Sequence, residues 1–301
     1  MTIDPAHVAN VQRARELYRD NLGPDQASAD WHAAKRHARH LVAATLRASD
    51  YLHDIGKALA ESAGHTLVLR QLLAPPMSQD QFALVAKGWS KGAENSGRPM
   101  AKATADIIAQ VVAERIDRGL AGWVATGRRP HRAEIVVLIH VASTLMATLT
   151  VATARRLRLA FEQEYAVELL LEAKGWTRLP SKLIDTRAAV PPGSFMRKTR
   201  FATDTTAPQE VDIACGLQRS YVLAMECKVT NDETNSVKRV NDVLKKAAAW
   251  KAHWGSFVMT AALLQGVVAA KDVQRLTDAG VHVFWSHDLA AFERWLDAQM
   301  A

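Results

Sequence analysis

Two carboxylates and a lysine stand in the C-terminal half of the sequence where neighbouring strands can bring them together. The apolar segments VDIACGL and YVLAMECKV are separated by three residues centred on Arg219, a length typical of a β-hairpin turn. If the turn centres there, opposed residue numbers add up to 438 and Asp212 lies across from Glu226. Because side chains alternate along a strand, Glu226 and Lys228 share one face and Cys227 points to the other.

This pattern is typical of a site that hydrolyses phosphodiesters. Asp212 and Glu226 repel each other in an apolar setting unless a cation lies between them. Oxygen ligands suit Mg²⁺, which keeps several waters and takes a substrate phosphate, and the bound ion acidifies a water. Lys228 can orient that water or neutralise charge at the phosphorus centre. A structural ion pair at a solvent-facing strand end has the same spacing, so both interpretations stay open.

A further carboxylate precedes the sheet on a helix. Residues at helical spacing form an apolar stripe there, made of Leu157, Ala160, Val167 and Leu171. Glu164 falls on this stripe and interrupts it. A carboxylate on a core-facing stripe could join the same metal site, whereas a glutamate at the edge of the stripe would reach solvent.

Two kinds of sequence pattern divide the chain. The first 150 residues read as helix after helix, which predicts a helical N-terminal domain over 1–150. Residues 181–208 are rich in loop signals. Short apolar runs then alternate with helical stretches to the end of the chain, which indicates an α/β layer and a second domain over 151–301.

One segment is long enough to cross a membrane. Residues 135–154 carry no charged side chain over 20 positions. His140, Ser143 and several threonines dilute their hydrophobicity. We therefore predict a buried central helix of a soluble protein and no membrane partner.

The overall charge and the cysteines suit a nucleic-acid partner in a reducing compartment. Lys and Arg outnumber Asp and Glu by 38 to 31, for a net charge of +7, which favours a polyanionic partner. Cys215 and Cys227 have neither CxxC spacing nor a zinc-type histidine nearby. A reduced cytoplasmic protein is the expectation.

The hairpin, with Asp212 and Glu226-Cys227-Lys228, resembles the PD-(D/E)xK nuclease motif. Val211 stands where the name of the motif has Pro. Longer segments resemble the XamI family of type II restriction endonucleases, over roughly residues 67–301; they are ECKVTNDETNSVKRVNDVLKKAAAWKAHWG, LLAPPMSQDQF and VHVFWSHDLAAFERWL.

The resemblance implies a fold, a reaction and partners. The fold is a restriction-endonuclease-like mixed β-sheet flanked by helices, beside the all-α N-terminal domain. The reaction is Mg²⁺-dependent, sequence-specific double-strand cleavage of DNA. Asp212 and Glu226 would be metal ligands, with the Cys227 backbone carbonyl as an optional third, and Lys228 would be the catalytic lysine. The stripe position of Glu164 adds it to this set as an auxiliary catalytic carboxylate. Double-stranded DNA, a second copy of the chain in a homodimer and a cognate DNA methyltransferase are the expected partners.

The resemblance also draws attention to the helix after the catalytic strand. Polar residues near its start would contact phosphate or help to build the site: Asn235, Ser236, Lys238, Arg239 and Asn241. The alternative is a solvated helix N-terminus that Asn235 or Ser236 caps.

Two rival functions rest on the helical half. His53-Asp54 in LHDIGK resembles the metal-binding doublet of HD-type phosphohydrolases, a chemistry that needs a further His and Asp on facing helices. The basic run HAAKRHARH over residues 32–40 could follow a DNA backbone in a non-catalytic helical DNA-binding protein, or form a solvated helix face.

Overall fold

The computed structural model describes residues 3–20, 24–204 and 207–301. They form two compact units. One consists of Pro24–Ala154, and the other consists of the described residues of Met1–Gly23 together with Arg155–Ala301. One long helix, α9, runs from Arg132 to Ala173 and contributes residues to both units.

The unit formed by Pro24–Ala154 is helical. Its helices before α9 are α2 (Pro24–Ala48), α3 (Ile55–Glu61), α4 (Thr66–Leu69), α5 (Gln79–Val85), α6 (Lys91–Ser96), α7 (Lys102–Arg115) and α8 (Gly122–Thr126). Ser78 caps α5 through a capping box with Gln81, which satisfies amide groups that a helix start leaves free. Leu46, Leu72, Phe82 and other apolar side chains of these helices form a common buried core.

The other unit contains a mixed sheet. Its strands are β1 (Thr177–Arg178), β2 (Leu183–Ile184), β3 (Ser194–Phe201), β4 (Gln209–Gly216), β5 (Val222–Thr230), β6 (Val258–Gly266) and β7 (His282–Trp285). In the described part of the chain these strands form one seven-stranded sheet in the order β1-β3-β4-β5-β6-β7, with β2 also paired to β3. The β3–β4 and β4–β5 pairs are antiparallel, and β5, β6 and β7 run parallel.

Helices cover both faces of this sheet. They are α1 (Pro5–Asp20), α10 (Glu233–Trp254), α11 (Ala270–Asp278), α12 (Leu289–Met300) and the second part of α9. Side chains of α9 and α12, such as Val167 and Phe292, pack on one face with Leu223 and Met225 of β5. Val243 and Trp250 of α10 pack on the opposite face. The predicted α/β class, with a helix-flanked mixed sheet and an N-terminal helical region, is confirmed.

Two parts of this unit differ from the sequence-based expectation. The region 181–208 contains β2 and β3 as well as loops. β3 carries Arg197, Lys198 and Arg200 among its eight residues, and such a basic segment does not look like an interior strand. In addition, α1 packs with β6 and α11 through Ala14, although its sequence reads like the helices that follow it.

The prediction of a buried helix over residues 135–154 is wrong in part. The segment is helical, but only one face is buried, by residues that include Leu138, Ala142 and Met146. Val137 and Leu149 on another face are about half exposed, at 53% and 52%. Apolar composition predicts burial only where a neighbouring element covers each face. Among the described helices, α9 is long and apolar enough to cross a membrane by length and composition alone. In its most apolar stretch of 18 residues, 28% is buried within the protein.

Candidate active site

The hairpin of β4 and β5 has the predicted register. Ile213 pairs with Met225, and the pairs that follow toward the turn keep the same sum of residue numbers. Asp212 and Glu226 are the next opposed residues beyond that pair. Asp212 Oδ2 accepts a hydrogen bond from the Cys227 backbone N–H at 2.8 Å, which ties the Asp212 carboxylate to the neighbouring strand.

Side chains alternate along β5 as expected. Glu226 and Lys228 are buried and point toward α10, whereas Cys227 packs in the core on the α9 side. Burial raises the pKa of the Cys227 thiol well above its usual range, so this thiol stays protonated at neutral pH. Any role of Cys227 as a ligand therefore belongs to its backbone carbonyl.

Glu226 is held by two ammonium groups on the same oxygen. Its Oε2 accepts from Lys228 Nζ at 2.6 Å and from Lys246 Nζ of α10 at 2.8 Å. Its Oε1 is buried without a hydrogen-bond partner. Lys228 Nζ also lies 3.8 Å from Asp212 Oδ2 and 3.6 Å from Asp242 Oδ2. Lys228 thus stands between the two carboxylates that the hairpin brings together.

The two carboxylates respond in opposite ways to their surroundings. Burial opposes ionisation of Asp212, but Lys228, the hydrogen bond from Lys198 and the Cys227 N–H outweigh it, so the pKa of Asp212 is lowered. Burial dominates at Glu226, and Lys228 and Lys246 only partly offset it, so its pKa is raised. One carboxylate is therefore stabilised as an anion, while the other is held in an environment that disfavours its charge.

Glu164 of α9 lies close to Asp212 and is 4% exposed. Lys198 of β3 joins the two carboxylates, with Nζ 2.9 Å from Asp212 Oδ1 and hydrogen-bonded to Glu164 Oε1. These partners raise the pKa of Lys198 to about 12 against the opposing effect of its burial. The solvent-facing alternative for Glu164 does not hold, because its stripe position is buried.

The ion pairs continue on both sides of the site. Arg197 of β3 contacts Glu164 Oε2 at 3.3 Å and Glu168 Oε2 at 3.1 Å, and Arg178 of β1 pairs with Glu168. The resulting charge ladder alternates cations and carboxylates in the order Arg178, Glu168, Arg197, Glu164, Lys198, Asp212, Lys228, Glu226 and Lys246.

The donor set fits a hard divalent cation. Among the described residues, no group of three His, Cys, Asp or Glu side chains is arranged as a metal site. Mg²⁺ binds through only one or two carboxylates and otherwise keeps water, so Asp212 and Glu226 with a backbone carbonyl are sufficient. Within this site, the unpartnered Glu226 Oε1 is an oxygen that a cation would satisfy.

The helix after the catalytic strand places its predicted DNA-contacting residues in different ways. Lys238 and Arg239 are exposed. Asn241 is exposed and its Oδ1 accepts from Arg275 at 2.7 Å. Ser236 is buried, which corrects its interpretation as a surface contact for DNA.

The start of this helix also differs from expectation. Asp232, rather than Asn235 or Ser236, is the N-cap of α10. Its carboxylate accepts from the Asn235 backbone N–H at 2.8 Å and from the Asn235 side chain at 2.5 Å. Asn235 is exposed, but its amide group is already engaged in the cap.

Sequence reasoning missed several residues that contact the site. Arg197 and Lys198 lie on β3, which the sequence did not predict. Asp242 and Lys246 are one helical turn apart on α10, the spacing that places two residues on one face. That i, i+4 pair after the ExK segment was the available signal.

His53 and Asp54, which resemble the doublet of HD-type phosphohydrolases, have local structural roles. Asp54 caps α3 by accepting from the Lys57 N–H at 2.9 Å. His53 Nε2 lies 3.0 Å from the Arg128 carbonyl oxygen. In the part of the chain that the structure describes, no cluster of ligand side chains accompanies this pair.

Comparison with known proteins agrees with the geometry. The sequence profile of the XamI restriction endonuclease family matches residues 50–285. The type II restriction enzyme XamI of Xanthomonas campestris pv. amaranthicola is 31% identical over 205 residues, covering 66% of this chain and 71% of that enzyme. Among solved structures, protein VC1899 of Vibrio cholerae aligns over 92% of this chain and 58% of its own, with 9% identity and a TM-score of 0.32, which is too low to indicate a shared fold.

The family match includes the hairpin, the helix that follows it and most of the remaining chain. The resemblance found in the ECKV segment and its flanks is thereby confirmed. The chain belongs to the XamI family of restriction endonucleases, and it is a type II site-specific deoxyribonuclease.

Proposed function

We propose that this enzyme cuts both strands of duplex DNA at a specific sequence by Mg²⁺-dependent hydrolysis, with Asp212, Glu226 and Lys228 as its active site. The observation that carries the proposal is the Glu226 side chain, which is fully buried with Oε1 unpartnered. A buried carboxylate oxygen without a partner is costly in a purely structural role. A metal ligand beside Asp212 explains why the position holds a glutamate.

Asp212, Glu226 and the Cys227 carbonyl would hold the ion, with Glu164 as an auxiliary group. Bound there, Mg²⁺ supplies an acidified water and stabilises charge on the phosphoryl oxygens. The chain itself orients the ligands: the Cys227 N–H fixes Asp212 Oδ2, and the Lys246 ammonium fixes Glu226 Oε2.

The two lysines on Glu226 have different expected roles. Lys246 shares Oε2 with Lys228, so Glu226 keeps a cationic partner when Lys228 turns toward substrate. Lys228 is the residue that lies between both carboxylates, where an ammonium can orient a water or stabilise the charge that develops on phosphate. Lys246 is therefore a positioning residue and Lys228 the catalytic lysine.

The partners follow from the reaction. Lys238 and Arg239 on the exposed side of α10 would contact DNA phosphates, with Asn235 and Asn241 beside them. A homodimer suits a palindromic recognition site, because a two-fold axis in the protein then matches that of the DNA. A cognate methyltransferase would protect the host DNA, and both enzymes would work in the cytoplasm.

The test is incubation of the purified chain with phage DNA in Mg²⁺ and in EDTA. Discrete fragments that appear only with Mg²⁺ are expected, and sequencing of their ends gives the recognition site and the position of the cut. Asp212→Asn should fold and should lose cleavage. Near-normal cleavage by Asp212→Asn at limiting Mg²⁺ contradicts the assignment, because a two-carboxylate metal site would then not be needed.

A further inference from the structure

Lys198 adopts a backbone conformation that side chains rarely take. Its φ is +51° within β3, in the left-handed region that favours glycine and is strained for other residues. The Ser181 hydroxyl donates to the Lys198 carbonyl oxygen at 2.8 Å and holds this conformation. This backbone conformation distinguishes Lys198 from an ordinary lysine on a strand.

The ammonium of Lys198 occupies a position that two carboxylates from different elements share. Asp212 Oδ1 of β4 is 2.9 Å away, and Glu164 Oε1 of α9 is its other hydrogen-bond partner. The second oxygens of both carboxylates have partners of their own, since Arg197 contacts Glu164 Oε2 and the Cys227 N–H contacts Asp212 Oδ2. The two oxygens that face Lys198 are therefore aimed at one cation position.

A divalent ion prefers the same kind of oxygens. Lys198 differs from a fixed structural cation because its side chain is 57% exposed, so the ammonium can move to solvent without breaking the core. Glu164, by contrast, is buried and fixed by Arg197. The position thus combines two fixed anionic oxygens with one removable cation.

We propose that the Lys198 ammonium acts as a tethered competitor, occupying the cation position between Glu164 and Asp212 until a divalent metal ion displaces it. The inference rests on the proposed function, because Asp212 is also a proposed ligand of the catalytic ion. Lys198 then sets the metal affinity of the DNA-free enzyme, and Glu164 becomes a metal ligand only after Lys198 has left.

The test measures Mn²⁺ binding to the full chain without DNA, from the loss of the free-ion signal in electron paramagnetic resonance. Lys198→Met removes the ammonium and keeps the length of the side chain. It should lower the Kd for Mn²⁺ about fivefold or more, because the ion no longer has to break an ammonium–carboxylate pair, and two unit charges about 4 Å apart at a water-like dielectric constant correspond to about this factor. Lys198→Arg should stay near wild type, because it keeps a cation at this position.

Arg200→Met is the matched control, since it removes one positive charge two residues along the same strand. It should change the Kd less than twofold. An unchanged or weaker Mn²⁺ affinity in Lys198→Met, with Asp212→Asn clearly weakened, overturns the inference and leaves the proposed function intact. Wild-type Mn²⁺ binding by Asp212→Asn overturns both.

Thermal unfolding separates competition from a merely structural role. In EDTA, Lys198→Met should have a lower Tm than wild type, because Glu164 and Asp212 then lose the cation that they share. Added Mn²⁺ should raise the Tm of the variant by more than it raises that of wild type. A lower Tm with no larger response to Mn²⁺ would show a structural ion pair and would overturn the inference.

Discussion

Each of the two compact units buries a glutamate, and the two side chains differ in how their oxygens are satisfied. Glu94 of the helical unit is 6% exposed. Its Oε2 accepts from Arg70 Nε at 3.2 Å and from the Thr66 hydroxyl at 3.0 Å. Its Oε1 accepts from Gln79 at 2.7 Å and from Arg70 Nη2 at 3.3 Å. Both oxygens of Glu94 are therefore fully used within the fold.

Glu226 of the sheet unit is more deeply buried and less well satisfied. Two ammonium groups share its Oε2, Oε1 has no partner, and burial raises its pKa. Burial alone therefore does not mark a functional carboxylate. The difference between Glu94 and Glu226 lies in Oε1 of Glu226, which the protein leaves without a partner.

The largest expected effect is on cleavage. Glu226→Gln should reduce the rate of DNA cleavage by about 1000-fold or more, the equivalent of about 4 kcal/mol in the barrier, because an amide is a poor metal ligand. The measurement is the rate of plasmid linearisation under single-turnover conditions, with circular dichroism as a check on folding.

Glu94→Gln is the matched control for this experiment. Both substitutions neutralise a buried glutamate without changing its shape, but Glu94 has no place in the proposed chemistry. Below its unfolding transition, Glu94→Gln should cleave at close to the wild-type rate. Equal losses in the two variants would remove the distinction between the two glutamates.

The next effect is on stability, and here Glu94→Gln should have a larger effect than Glu226→Gln. Glu94→Gln leaves the buried Arg70 without its carboxylate, and breaking one partner of a buried pair costs about 3–5 kcal/mol. Glu226→Gln should cost less in EDTA, because burial works against the charge of Glu226 and Lys228 keeps Asp212 and Asp242 as neighbouring carboxylates. Urea unfolding curves at pH 8 should therefore rank Glu94→Gln as the less stable variant.

The pH dependence of stability sharpens the same contrast. The pKa of Glu226 is raised in the folded state from an ordinary value of 4.5. Between pH 4.5 and the raised pKa of the folded state, the folded protein binds more protons than the unfolded chain. The free energy of unfolding in EDTA therefore falls as pH rises through this range. Glu226→Gln should remove that part of the pH profile. A difference between wild type and variant that does not depend on pH would contradict the pKa direction.

The contribution of Asp212 to the pH dependence of stability has the opposite sign. Its pKa is lowered, so its ionised form contributes stability above its ordinary value of 3.8, and this contribution is lost as pH falls through the lowered pKa. From the sequence, repulsion between crowded carboxylates suggests that removing the Asp212 charge stabilises the metal-free protein. The ammonium groups of Lys228 and Lys198 reverse that expectation, so loss of the Asp212 charge should destabilise the metal-free protein.

The smallest expected effect compares basic helices of the two units. Arg239→Ala on α10 should weaken DNA binding a few-fold and reduce the slope of log K against log salt by about one. Arg36→Ala, in the basic run of α2, should leave this slope closer to wild type if α10 faces the DNA. Fluorescence anisotropy with a duplex in Ca²⁺ buffers of increasing ionic strength gives both slopes. A larger change of this slope in Arg36→Ala than in Arg239→Ala would assign the DNA-binding surface to the helical unit.

The hairpin was predictable because its information is local. A short turn and side-chain alternation at period two determine which residues oppose each other, and the register of Ile213 with Met225 agrees with that reasoning. The alternation of helices and strands after β5 was also predictable, since amphipathic spacing and cap residues mark the helices.

The partners of the carboxylates were not predictable in this way. Lys198 lies 14 residues from Asp212 along the chain, and Lys246 lies 20 residues from Glu226, so no local spacing rule connects them. The basic residues of β3 also hid the strand itself, because charged side chains in a sheet are recognisable only once their buried carboxylate partners are known. The exposed face of α9 was missed for the corresponding reason, since composition does not reveal which face a neighbour covers.

The charge ladder from Arg178 to Lys246 has a consequence for the additivity of substitutions. Each carboxylate in it lies between two cations, so neutralising one member changes the electrostatic environment of the next. Residues within one ion-pair network show interaction free energies of about 0.5–3 kcal/mol in double-mutant cycles. Effects measured one residue at a time will therefore not sum along this series, and the coupling between two positions should weaken with the number of ladder members that separate them.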